Sequence, residues 1–148
     1  MAGPTRQDTQ RITLMIQDPQ DNNWKDFGVW DKKTGGAIDS EDYKYKAGGM
    51  VPQESLGGTR TIDDVTLTRL YRHERDHLRF QKLISWTGRA ECIVSQFILD
   101  IDGNVFGGPI VWRGKLKTTT PPEHDSESTD PAFVELVISP ANDPTVIT

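Results

Sequence analysis

His73-Glu74-Arg75-Asp76-His77 matches the pattern H-E-x-x-H. On a helix, histidines at i and i+4 share a face and can hold zinc, with the glutamate as general base. A catalytic zinc also needs a third protein ligand. His124 is the remaining histidine, and it lies in a Pro-rich acidic loop rather than in the extended H-E-x-x-H-x-x-G-x-x-H context. The motif sits at the start of the predicted helix, in the charge-dense run RHERDHLR. Projected on that helix, His73 and His77 fall near the Phe80/Ile84 side, as partly buried polar residues. A solvated helix start therefore explains the segment better than a metal site, and no catalytic residue, metal ligand or cofactor is assigned.

Asp100-Ile101-Asp102-Gly103-Asn104 opens like a calcium loop, which requires Gly at the sixth position and Glu at the twelfth. Those positions hold Val105 and Val111, so a β-turn accounts for the residues. The Gly-Gly pairs form neither G-x-x-x-x-G-K-[ST] nor G-x-G-x-x-G, and no serine stands in G-x-S-x-G. Cys92 precedes the apolar run Ile93 to Ile101 and reads as a packed thiol. As the only cysteine, it excludes an intrachain disulfide scaffold.

The chain has 148 residues, of which 34% are hydrophobic and 26% charged, with a formal net charge of −5. One domain is expected, spanning residues 1–148. The modest apolar content suits a subunit that completes its burial against neighbours. The acidic balance argues against tight nucleic-acid binding. Basic residues cluster at Lys44/Lys46, along Arg69 to Arg79, and at Arg113, Lys115 and Lys117. Subunit–subunit salt bridges to acidic segments such as Asp63-Asp64 or Glu123 to Asp130 are the preferred reading. The polar N-terminus does not read as a signal peptide. No apolar run reaches the roughly 20 residues a membrane helix needs, so no membrane partner is expected.

The elements that would carry these residues are mostly strands. Ile12, Leu14 and Ile16 alternate with polar neighbours, and Trp24 to Trp30 reads as a second strand. Asp31 to Thr59 shows no periodicity, holds Gly35-Gly36, Gly48-Gly49 and Gly57-Gly58, and reads as a long loop. Its Tyr43, Tyr45, Met50, Val51 and Leu56 mark it as an interaction loop rather than a linker. Thr61 to Tyr71 is a strand candidate with Val65, Leu67 and Tyr71 on one face. Glu74 to Trp86 is a helix with Phe80, Leu83 and Ile84 on one side. Ile93 to Ile101 and Ile110 to Leu116 flank Asp102-Gly103 as a hairpin, and Phe133 to Ile138 is the last strand. About six strands and one helix predict a mainly β fold, an antiparallel sandwich or barrel with the helix packed against it.

The segment Tyr43 to Tyr71, with Gly57-Gly58-Thr59-Arg60 followed by Val65-Thr66-Leu67-Thr68-Arg69, resembles the region of phage tail tube proteins where a Gly-rich loop ends in GG-x-R before a strand and a short helix. Ile110 to Leu116 resembles that family's late W-x-G-x-L strand. The order of elements is similar over residues 10 to 140. The resemblance implies a non-enzymatic subunit of a phage tail or a related contractile injection system, assembled in the host cytoplasm into a virion. It implies hexameric rings stacked around a channel for DNA, with sheath, baseplate or terminator proteins as further partners. Tyr43, Tyr45, Met50, Val51, Leu56, Gly57, Gly58, Arg60 and Arg69 are the expected contacts between subunits or rings. Gln96, Asp100, Arg113 and Lys115 are expected on a strand face nearer the lumen or an interface than the core. The alternatives are a zinc hydrolase built on His73, Glu74 and His77, and a terminator or adaptor that forms one ring without polymerising.

Overall fold

The computed structural model describes residues 5, 6, 8–45, 48, 54–140, 145 and 146; for 41–45, 54–60 and 145–146 it gives the backbone path. The strands are β1 (Gln10–Gln17), β2 (Trp24–Trp30), β3 (Lys32–Gly35), β4 (Ile38–Tyr45), β5 (Glu54–Ile62), β6 (Val65–Leu70), β7 (Glu91–Ile98), β8 (Ile110–Thr120), β9 (Phe133–Pro140) and β10 (Thr145–Val146). One helix, α1 (His73–Trp86), separates β6 from β7.

Among the described residues all pairings are antiparallel, in the order β2-β1-β7-β8-β9-β6-β3, with β10 on β8 and β4–β5 as a separate two-stranded sheet. The two ends of the main sheet are one continuous piece of chain. β2 pairs with β1, β3 pairs with β6, and only Asp31 lies between them. Asp31 itself continues the ladder, its amide donating to Thr68 O at 3.1 Å. The sheet therefore closes into a barrel. Its strands are steeply tilted: Trp30 leads through Ile12 and Gln96 to Ile110 of β8, whereas Lys32 leads through Thr68 and Glu135 to Thr120 of the same strand. Such stagger is what closing a small barrel demands.

Alternation fills the interior. Ile12, Leu14 and Ile16 of β1, Cys92 and Val94 of β7, Trp112 and Leu116 of β8, and Val134, Leu136 and Ile138 of β9 are buried, while residues between them face out. Gly114 is required in this pattern, because a Cβ there would overlap the carbonyl of Ser139 where β8 meets β9. On β2, a register shift opposite Thr13/Met15 coincides with Gly28 at φ +80°, a bulge that takes the Phe27 carbonyl out of the ladder.

The helix adds Phe80, Leu83 and Trp86 to the core, with Trp86 edge-on to Phe27 at 6.3 Å and Phe80 edge-on to Tyr71 at 6.5 Å. Ile84, expected on that face, is 57% exposed, and Asp76 is buried in its place. His73 and His77 are exposed rather than partly buried.

The expected Asp31–Thr59 loop is instead β3, β4 and most of β5. In β3 the reason is that no apolar residue marks the alternation: Lys32, Thr34 and Gly35 are exposed, and the half-buried residue between them is Lys33. Gly57 pairs with Asp42 inside the β4–β5 ladder, and the Thr61 to Tyr71 strand is broken at Asp63-Asp64, where the Asp63 amide turns to Ala37 O at 2.9 Å.

Candidate functional site

The residues at the H-E-x-x-H segment build a structural hub. Asp76 begins the buried face of α1, and in β6 Arg69 follows Val65 and Leu67 inward. Arg69 Nη2 donates to Asp76 Oδ1 at 2.6 Å, with 4% and 3% of the two side chains exposed. Arg69 Nη1 donates to the Phe27 carbonyl freed by the bulge, at 2.6 Å, and the guanidinium lies 4.5 Å from the Trp30 ring centroid. Arg75 completes the carboxylate through Nε to Oδ1 and Nη2 to Oδ2, both at 2.8 Å. The Arg72 amide donates to Oδ2 at 3.0 Å, a backward cap of the first turn that replaces the missing N-cap side chain. Burial pushes the Asp76 carboxyl up, but the hydrogen bonds from Arg75 and the Arg72 amide and the charges of Arg69 and Arg75 outweigh it and hold it below the usual range.

The histidines do other work. His77 Nδ1 meets Tyr71 Oη at 3.0 Å, and its Nε2 approaches Gln81 Nε2 at 3.5 Å. Among the described residues no group of three or more His, Cys, Asp or Glu side chains could hold a metal. Cys92 is fully buried, and burial, then the charge of Glu91, push its thiol up to about 12, so it is no nucleophile at neutral pH.

The expected contact residues separate into three places. Tyr43, Tyr45, Leu56, Gly57 and Arg60 lie on the β4–β5 hairpin, where Tyr43 pairs with Leu56, Tyr45 with Glu54 and Ser40 with Arg60; Gly58 sits at its register shift. Met50 and Val51 lie outside the described residues. Arg69 is inside the barrel, where its parity in β6 points it inward to Phe27 and Asp76.

The expected strand face is likewise divided. Gln96 shares the inward parity of Cys92 and Val94, and its Nε2 donates to Gln10 Oε1 at one mouth of the barrel. Asp100 organises the turn after β7, its Oδ1 accepting the amides of Asp102 and Asn104, both at 2.9 Å. Arg113 and Lys115 do share an outer face. Arg113 pairs with Glu91 at 2.7 Å and lies 5.4 Å from the Trp24 ring centroid, and Lys115 stands opposite Glu91.

Sequence reasoning marked Glu123 to Asp130 as an acidic segment for subunit contacts but not the cavity beside it. There the β8–β9 loop folds over the outer sheet face and leaves a cavity of about 680 Å³, lined among others by Thr68, Glu123, Asp125, Asp130, Phe133 and Glu135.

No protein-family model matches the chain, and no curated protein matches it in sequence. Solved structures do. A chain of the anti-feeding prophage baseplate, 6-fold symmetrised, is similar with a TM-score of 0.70 at 14% identity, over 99% of this chain and 97% of that one. A chain of the sheath/tube terminator of an extracellular contractile injection system, PVC, in its extended state gives 0.68 at 14%, over 100% and 99%. A chain of the PVC sheath-tube complex gives 0.65 at 13%, over 97% and 93%. The likeness covers barrel, hairpin and helix together, and the chain thus has the tail-tube-like fold found in these injection-system assemblies.

Proposed function

We propose that this chain is a structural subunit of a phage-type tail tube, which self-assembles into stacked hexameric rings around a channel for DNA. The observation that carries the reading is the near end-to-end fold match to chains of sheath-tube, terminator and baseplate assemblies, one of them 6-fold symmetrised. A physical argument supports it. β4 and β5 form a two-stranded sheet apart from the barrel, and an isolated two-stranded hairpin is marginal in water. Its edges carry unpaired backbone groups that a neighbouring copy can satisfy. Tyr43, Tyr45, Met50, Val51, Leu56, Gly57, Gly58 and Arg60 are then the contacts between subunits or rings, and sheath, baseplate and terminator proteins are the further partners. The tube is placed in a virion assembled in host cytoplasm.

Sedimentation velocity across a concentration series tests this, combined with limited proteolysis of segment 31–59. Growth to large species with protection of the segment supports the reading. A monomer at every concentration, or equal cleavage in free and assembled protein, contradicts it. The likeness to the terminator chain favours one other reading, a cap that forms a single ring without stacking.

A further inference from the structure

The outer face of α1 and the β8–β9 cavity belong to the same end of the barrel. The chain enters α1 at Tyr71, whose amide donates to Ala132 O at 2.9 Å, and leaves it at Thr87, whose hydroxyl meets that of Thr119 at 2.8 Å. The two surfaces are opposite in charge. Among the described residues, Glu123, Asp125, Glu127 and Asp130 of the loop form no ion pair, and neither do Arg79, Lys82 and Arg89 at the helix. They also match in apolar character: Leu78 is 74% exposed on the helix, and Phe133 is 52% exposed in the cavity. An exposed leucine beside unpaired cations and an open cavity floored by phenylalanine and rimmed by carboxylates are complementary.

We propose that subunits meet side by side through the Leu78/Lys82 face of α1 on one copy and the acidic β8–β9 cavity on the next. The occupant of each surface is a second copy of this chain, and the inference rests on the ring-forming reading above. The two patches differ, so the contact is heterologous, the kind that forms a ring when its rotation closes and a filament when it does not. The β4–β5 hairpin is left for contacts outside this one.

The test is a charge swap. Lys82→Glu/Arg89→Glu reverses the helix, and Asp125→Lys/Asp130→Lys reverses the cavity rim; all four residues are exposed. Melting temperatures check that each variant folds. Mass photometry gives the concentration at which rings appear. Each reversal is expected to raise that concentration about tenfold or more, and combining the two to return it to within about threefold of the parent. Rings that form as readily in the single reversals as in the parent, or a combination no better than either half, overturn the contact while leaving the tube reading standing. A parent chain that never forms rings overturns both.

Discussion

Arg69 and Asp76 meet at 2.6 Å inside the barrel, and through them β6, the β2 bulge and the start of α1 are tied at one point. A buried charge whose partner is removed costs far more than the pair itself contributes. Asp76→Asn leaves Arg69 without its counter-charge. It is expected to destabilise the fold by about 3 kcal/mol and to lower Tm by about 10 °C in calorimetry. Replacing both residues with apolar ones, Arg69→Met/Asp76→Leu, is expected to recover part of that loss. An Asp76→Asn protein that melts with the parent contradicts the hub.

The same carboxyl makes stability depend on pH. Its folded pKa is depressed, so the stabilisation is complete above the ordinary carboxylate range of about 4 and is lost as pH falls through the lower folded value. Melting curves from pH 6 to 2 are expected to show the gap between parent and Asp76→Asn narrowing at the acid end. A gap that stays constant with pH contradicts the assignment.

Gly114 sets how closely β8 and β9 can approach. A methyl group there meets the Ser139 carbonyl, a backbone atom that cannot swing away. Gly114→Ala is expected to cost about 3 kcal/mol or more, whereas Gly48→Ala, with open space around it, changes little. Urea denaturation of the two variants makes the comparison, and equal midpoints contradict the packing described.

Much of the barrel is legible in the sequence wherever a strand has one buried face. Ile12/Leu14/Ile16 and the paired β7 and β8 alternate because the core demands it, and Trp24 to Trp30 was legible from its aromatics, with Phe27 and Trp30 both buried across the Gly28 bulge. β3 to β5 were missed because their sequences, KKTG, IDSEDYKY and ESLGGTRTI, carry no apolar period-two signal. The Asp76 hub could have been found. Asp76 precedes Phe80 and Leu83 at i+4 and i+7 and so shares their face, and Arg69 continues the Val65, Leu67 parity. It was hidden by its charged neighbours, which made residues 72 to 79 look uniformly solvated. The division of Gln96 from Arg113 and Lys115 follows from pairing register, which alternation within one strand does not contain. The β8–β9 cavity depends on a loop fold that composition alone does not specify.

Negative-stain electron microscopy of the purified chain at low and high concentration shows whether it stacks into tubes. Stacked six-fold rings or hollow tubes, lengthening as concentration rises, are expected. Isolated monomers that never associate at high concentration would contradict it.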